Sequence, residues 1–142
     1  MRLLATAVAL LMISSVMPAA AQAPAVDIRG AWVRRAPPGE GATAAAYITV
    51  HNRSGASDEL LSVTSDAADR VEVHETRWMS GMAMMEPVPR LTVAPHATIA
   101  MKPGGIHLML LGLRRALEPG GHVTLELVFR QAGAMTVRAE VR

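Results

Sequence analysis

Glycine, proline and asparagine divide the chain into short β-type runs, and this division limits the fold more than any other feature. From Val26 onward, turn-forming residues recur every eight to twelve positions, a spacing typical of sandwiches and barrels built from short strands. No segment in this part of the chain sustains the periodicity of an amphipathic helix. The pattern predicts one all-β domain, an antiparallel sandwich or barrel of eight or nine strands.

The N-terminal segment has a different character. A positively charged start, an apolar run to Val16 and small residues around Ala21 and Ala23 follow one another, which is the order of a secretory signal peptide. A membrane anchor is the alternative, but the apolar run is short for a span of about 20 residues. We therefore expect residues 1–21 to be a signal peptide, cleaved after Ala21 or Ala23. Residues 24–142 then form a single exported domain without membrane insertion.

Composition excludes several classes of function. The chain has no cysteine, so neither a disulfide framework nor thiolate chemistry is available. Aromatic residues make up 3% of the sequence and the formal net charge is +2, which leaves too few stacking platforms for nucleic-acid binding. The sequence contains no glycine-rich phosphate loop, no Ser/His/Asp order in a suitable context and no carboxylate pair in an apolar context. We expect a protein that is not an enzyme.

Histidine and methionine are concentrated between His74 and Met109. Six of the seven methionines outside the signal peptide lie in this stretch. Imidazole and thioether ligands without a thiolate suit a soft cation, above all Cu(I). The alternative is that the methionines fill irregular gaps at the edge of the core, because methionine packs adaptably.

Two predicted strands carry the histidines of this stretch. In Ile106–Leu113, His107 and Met109 share the face opposite to Ile106, Leu108 and Leu110, and they are about 6.5–7 Å apart along the strand. In Val71–Thr76, the valines face one way and His74 the other. Each histidine taken alone is equally consistent with an ordinary surface or half-buried side chain.

Four methionines follow the first of these strands within seven residues, and Gly81 marks a turn among them. On an extended strand Met82 and Met84 share one face, while Met85 takes the opposite face together with Ala83. Both faces cannot be ordinary core beside a turn. At least one of these methionines is therefore expected to be exposed or to bind a ligand.

The spacing of these residues resembles a known motif. His74, ten residues, Met85, twenty-one residues and then His107-Leu-Met109 is similar to the motif of the periplasmic copper(I) chaperone family PCuAC. The surrounding sequences Val88-Pro-Arg-Leu91 and Pro103-Gly-Gly-Ile-His-Leu-Met-Leu110 match as well. The resemblance extends through the C-terminal strands and covers essentially the whole exported chain.

Membership of that family would imply a fold, a site and a role. The fold is a cupredoxin-like antiparallel β-sandwich with a Greek key, and the site is an exposed Cu(I) centre made by His74, Met85, His107 and Met109. The role is periplasmic delivery of copper to the Cu-A centre of cytochrome c oxidase during its assembly. The implied partners are the copper-centre subunit of the oxidase and, as a further candidate, a thioredoxin-like copper chaperone.

The chain departs from the family pattern in two places. Family members commonly have a second methionine two residues before the ligand methionine, and here that position is Ala83, between Met82 and Met84. A shift of the strand by one residue would exchange Met84 for Met85 as the ligand. Some members also carry a His/Met-rich C-terminal tail, whereas this sequence ends at Arg142, so a single copper site is expected.

Alternative functions stay open at this point. Copper storage or resistance would use the same ligands, and a metal-free β-sandwich interaction module would use the methionines only for packing. An electron-transfer cupredoxin is disfavoured because a blue-copper centre needs a cysteine ligand.

Neighbouring residues also allow two interpretations each. Glu72 and Glu75 either orient the ring of His74 or are solvated charges, and Trp78 either shields the metal or anchors a loop. The other histidines are expected to be solvated; they are His51, His96 and His122.

Overall fold

A computed structural model describes residues 14–19, 23–36 and 41–142, and these residues form ten β-strands and no helix. The all-β prediction is therefore confirmed, with one strand more than the upper expectation. The strands are β1 (Val26–Val33), β2 (Ala44–Asn52), β3 (Asp58–Ser65), β4 (Ala68–Met79), β5 (Met82–Pro87), β6 (Leu91–Val93), β7 (Thr98–Ala100), β8 (Ile106–Leu113), β9 (His122–Phe129) and β10 (Gly133–Val141).

Most of the predicted signal peptide lies outside the described residues. Its residues 14–19 are exposed and have no regular secondary structure. In the described parts of the chain, no helix is long and apolar enough to cross a bilayer.

Seven of the strands close into a barrel in the order β4–β8–β2–β1–β10–β9–β3, with β3 pairing back to β4. Three short strands lie outside this ring: β5 extends from β4, β6 from β3, and β7 pairs with β2. The pairings are antiparallel apart from that of β1 with β10, which is parallel, so a purely antiparallel sheet was the wrong expectation at this one place. The cupredoxin-like Greek-key sandwich is a finer description and stays a prediction.

The barrel interior is filled by the apolar residues of each alternating strand. On β8, Leu108 and Leu110 are fully buried, and they lie opposite Val73 and Val71 of β4. Since neighbouring residues on a strand face opposite sides, the residues between these apolar positions point to the outer wall of the barrel. The largest fully buried side chains include Phe129, Ile48, Leu108, Leu110, Leu113, Leu117, Leu125 and Leu127.

The wall opens beside β4. This strand is joined to β3 only through the pair Val63 and Val71, and a cavity of about 400 Å³ lies between β3, β4 and the end of β5. Beyond Val71, β4 pairs with β8 on one side and with β5 on the other. The β4–β5 hairpin therefore extends away from the closed ring.

β4 is longer than predicted. It continues past the expected end at Thr76 to Met79, where Ser80 and Gly81 form a two-residue turn with φ values of 51° and 77°. Positive φ at both central residues is the requirement of a type I′ turn, whose twist matches that of the flanking strands. The prediction ended the strand too early because it did not treat Ser-Gly as a hairpin signal.

Candidate metal centre

The two histidines of the predicted site lie directly opposite each other on the outer wall. His74 of β4 pairs with His107 of β8 in the antiparallel register, and the centroids of their rings are 6.0 Å apart. Directly opposed residues in such a pair have Cβ atoms about 4.5–5.5 Å apart. Residues that are thirty-three positions apart in the chain thus share one small patch of surface.

Met109 belongs to the same patch. It lies two residues after His107 on the same face of β8, between Glu72 of β4 and Ala45 of β2. Met109 is half-buried at this position.

The strand register distinguishes Met85 from Met84. Met85 lies opposite Thr76, and Met84 lies opposite Arg77. Because Thr76 is two residues from His74, Met85 shares the histidine face, while Met84 is on the reverse face of the hairpin. Met85 occupies a position diagonal to His74 and is 58% exposed, at the rim of the patch.

One nitrogen of each histidine is fixed by a hydrogen bond. His74 Nε2 donates to Glu72 Oε2 at 2.9 Å, and His107 Nδ1 donates to the carbonyl oxygen of Gly105 at 3.0 Å. An ionised carboxylate and a carbonyl oxygen can only accept, so these contacts determine which nitrogen of each ring carries the proton. The hydrogen bond from His74, together with Arg70, holds the pKa of Glu72 below its ordinary value.

The remaining nitrogen of each ring has no partner among the residues that the structure describes. His74 Nδ1 and His107 Nε2 are buried and make no hydrogen bond to any part of the chain that the structure describes. Leaving a buried polar atom unpaired costs about 1–3 kcal/mol. A histidine whose one nitrogen is held by a carboxylate or a carbonyl while the other is bare has the arrangement of a metal ligand.

Aromatic rings cover His107 from the other side. The ring of Tyr47 on β2 lies 6.3 Å from that of His107, and the Trp32 ring packs 4.5 Å from Tyr47. His107 is consequently only 3% exposed. Sequence reasoning missed Tyr47, because nothing in the sequence indicates that β2 lies beside β8. It also missed the carbonyl of Gly105, which is only two residues before His107 in the chain.

The two glutamates next to His74 behave differently. Glu72 orients the ring, as described above, whereas Glu75 lies on the reverse face and pairs with Arg77 at 3.1 Å. Trp78 is 68% exposed, so it does not anchor a loop in the core.

The remaining histidines are separate from the patch. His51 contacts the hydroxyl of Thr98 at 2.8 Å, and His96 and His122 are exposed. Among the described residues no group of three or more His, Cys, Asp or Glu side chains is placed to hold a metal ion. The donors on the patch are two imidazoles and two thioethers, a set that fits Cu(I).

Fold and patch together define a class: small all-β barrels with facing histidines and nearby methionines on the outer wall. A family model described as "Putative lipoprotein LpqE-like" matches residues 26–141. A relative from Leifsonia xyli subsp. xyli (strain CTCB07), "Putative lipoprotein Lxx21020", is 33% identical over 132 residues, which cover 89% of this chain and 78% of the relative. The chain belongs to the LpqE-like family.

Solved structures of PCuAC domains have the same fold. The "Copper-bound PCuAC domain from PmoF2" has a TM-score of 0.71 and 26% identity, covering 85% of this chain and 96% of that domain. "CuI-DR1885 from Deinococcus radiodurans" has a TM-score of 0.68 and 34% identity, covering 87% and 83%. The resemblance to PCuAC domains is thereby confirmed.

Proposed function

We propose that the protein binds one Cu(I) at this patch through His74 Nδ1, His107 Nε2 and the sulfurs of Met109 and Met85. The observation that carries this proposal is the pair of buried, unpaired nitrogens on facing histidine rings. A metal ion is the partner that removes the cost of both at once, since each ring keeps its other nitrogen in a hydrogen bond. The similar solved structures that are described as copper-bound support the choice of ion.

The four ligands differ in mobility, and this difference suits a carrier. His107 is enclosed by Tyr47, and His74 is held by Glu72. Met85 stands at the rim on an exposed hairpin, and methionine has a flexible side chain. Met85 can therefore leave the ion first and be replaced by a ligand of an acceptor protein. The absence of thiolate ligands also makes the ion easier to release.

The cellular role that follows is that of an exported, periplasmic copper chaperone. Copper is its cargo, and the receiving site is the Cu-A centre of cytochrome c oxidase, with the copper-centre subunit and a thioredoxin-like copper chaperone as partners. The signal-peptide pattern and the naming of relatives as lipoproteins support export. The fold in this proposal is a cupredoxin-like β-sandwich with a Greek key.

Competition titration with a Cu(I) chelator tests the binding step. The wild type should hold one copper per chain against the chelator, and the variant H107A/M109A should hold none. His122→Ala is the matched control, because His122 is an exposed histidine outside the patch and should leave the stoichiometry unchanged. A wild type that holds no copper, with the same thermal stability with and without Cu(I), would identify a metal-free interaction module.

Oxidase assembly tests the delivery step. A deletion strain grown with little copper should lose cytochrome c oxidase activity, and the wild-type gene should restore it. H107A should fail to restore it although the protein accumulates. Normal oxidase activity in the deletion strain, combined with greater sensitivity to excess copper, would favour storage or resistance.

A further inference from the structure

Three methionines share the reverse face of the β4–β5 hairpin. Met79 and Met82 flank the type I′ turn and lie directly opposite each other, while Met84 is two residues further along β5. Cross-strand partners have Cβ atoms about 4.5–5.5 Å apart, and positions two apart on one strand are separated by about 6.5–7 Å. The three thioethers are therefore neighbours, and none of them is on the face of His74 and Met85.

Packing does not explain these methionines. Met79, Met82 and Met84 are 56%, 66% and 43% exposed. The expectation of a methionine-filled core edge would require the side chains to pack against buried residues, and they belong to the exposed set instead. Three exposed thioethers at one hairpin tip thus remain without a structural task.

The positive charge on this face of the hairpin is paired with carboxylates. Arg77 lies opposite Met84, and its guanidinium contacts Glu75 at 3.1 Å and Glu86 at 3.4 Å. Glu75 and Glu86 also oppose each other in the register. Two carboxylates therefore surround the one arginine, so the charged groups on the reverse face of the hairpin have a net charge of −1.

We infer that Met79, Met82 and Met84 form a second Cu(I) site composed only of thioethers. Soft sulfur ligands select Cu(I) over harder ions, and each methionine has three rotatable bonds with which to bring its sulfur to a common point. The site is weaker than the histidine centre, because three mobile side chains must be ordered and no nitrogen ligand is preorganised. It also goes beyond the single site expected from the sequence.

The second site has a position that suits entry or exit of copper. Met84 and Met85 are adjacent residues of β5 on opposite faces, so one strand connects the exposed thioethers with the rim of the histidine centre. A role of this second site in passing copper to or from the histidine centre rests on the proposed function. Metal binding by the three thioethers does not, since the two sites share no ligand.

Silver(I) titration of the purified protein, with the methionine ε-methyl groups labelled with ¹³C, tests the inference. Ag(I) is a soft monovalent stand-in that does not change oxidation state. In H74A/H107A, in which the histidine centre is removed, the methyl signals of Met79, Met82 and Met84 should shift together and saturate near one equivalent. Met101 is buried and outside the hairpin, so its methyl is the internal control. Three unmoved methyls, or movement of only one, would overturn the second site.

A triple leucine variant provides the matched experiment. M79L/M82L/M84L keeps the side-chain volume at exposed positions, so the barrel should stay folded. Its capacity for Ag(I) should fall from two equivalents to one, while the first equivalent still shifts the ring signals of His74 and His107. An unchanged capacity of two would refute the inference. If the methyls shift in the wild type but the histidine rings do not, the second site stands and the histidine centre fails.

Discussion

The buried polar groups of the barrel fall into two regions that are completed in different ways. Around Asn52 and Asp58 the chain satisfies its own groups: Asp58 accepts hydrogen bonds from the backbone N–H groups of Glu59, Gln131 and Ala132 at 2.8, 2.8 and 2.9 Å. Asn52 donates to the carbonyl oxygens of residues 56 and 93 and accepts from residue 54. These side chains join loops to the barrel.

The region around His74 and His107 is left incomplete by comparison. Each ring uses one nitrogen within the chain and keeps the other bare and buried. A buried polar group that is fully paired stabilises the fold, whereas one that lacks a partner reduces stability until a ligand is bound. The contrast supports the proposal that the first region serves structure and the second serves binding.

A substitution in the fully hydrogen-bonded region around Asp58 should have the largest effect on stability. Asp58→Ala leaves three backbone N–H groups without their acceptor, and we expect the free energy of unfolding to fall by about 3–4 kcal/mol. Urea denaturation measures this. Asp66→Ala is the control, because its carboxylate is exposed and accepts one backbone N–H, from Thr124; its loss should stay below about 1 kcal/mol. If Asp58→Ala lowers the free energy of unfolding by as little as Asp66→Ala does, the contrast between the two regions is wrong.

A substitution of His107 should abolish the gain in stability that Cu(I) binding provides. At a free Cu(I) concentration 100 times the dissociation constant, binding should add about 2.7 kcal/mol to the free energy of unfolding. His107→Ala should show no such gain when unfolding is followed in a chelator-buffered Cu(I) series. His51→Ala, which removes a surface histidine bonded to Thr98, should keep the full gain. A gain of equal size in His107→Ala would place the ion elsewhere.

The register predicts which methionine completes the histidine centre. Met85→Leu should weaken Cu(I) binding at this centre more than tenfold, which is more than about 1.4 kcal/mol. Met84→Leu should change it less than twofold, since Met84 lies on the reverse face. The readout is the shift of the histidine ring signals during a competition titration. The opposite ranking would mean that β5 is shifted by one residue.

The smallest effect is expected at the residue that orients His74. Glu72→Gln should weaken Cu(I) binding about tenfold, at the low end of the usual range for such partners, because the side chain is 36% exposed and glutamine can still accept a hydrogen bond. Glu75→Gln is the matched control on the other face and should leave the affinity unchanged. Equal effects of both substitutions would point to a general charge effect instead.

Local patterns made much of this molecule predictable. The alternation in residues 106–110 correctly separates the buried Leu108 and Leu110 from His107 and Met109 on the other face, and Gly30 lies at a register shift in β1. These features depend only on neighbours in the chain.

The pairing of strands that are distant in the sequence could not be predicted from local patterns. That His74 faces His107 and that Tyr47 covers His107 both depend on the register of β4, β8 and β2. Register is fixed by the packing of the whole barrel. The resemblance to a known motif suggested that the four ligands lie close together. The periodicity of the single strands did not indicate this.

The central claim is that the two bare nitrogens bind copper, and ¹⁵N NMR of the histidine rings tests it most directly. Without metal, His74 should be protonated at Nε2 and His107 at Nδ1. On addition of one equivalent of Cu(I), the ¹⁵N signals of His74 Nδ1 and His107 Nε2 should move strongly and the protonated nitrogens only slightly. Unchanged signals at both bare nitrogens, or a stronger shift at His51, His96 or His122, would contradict the account.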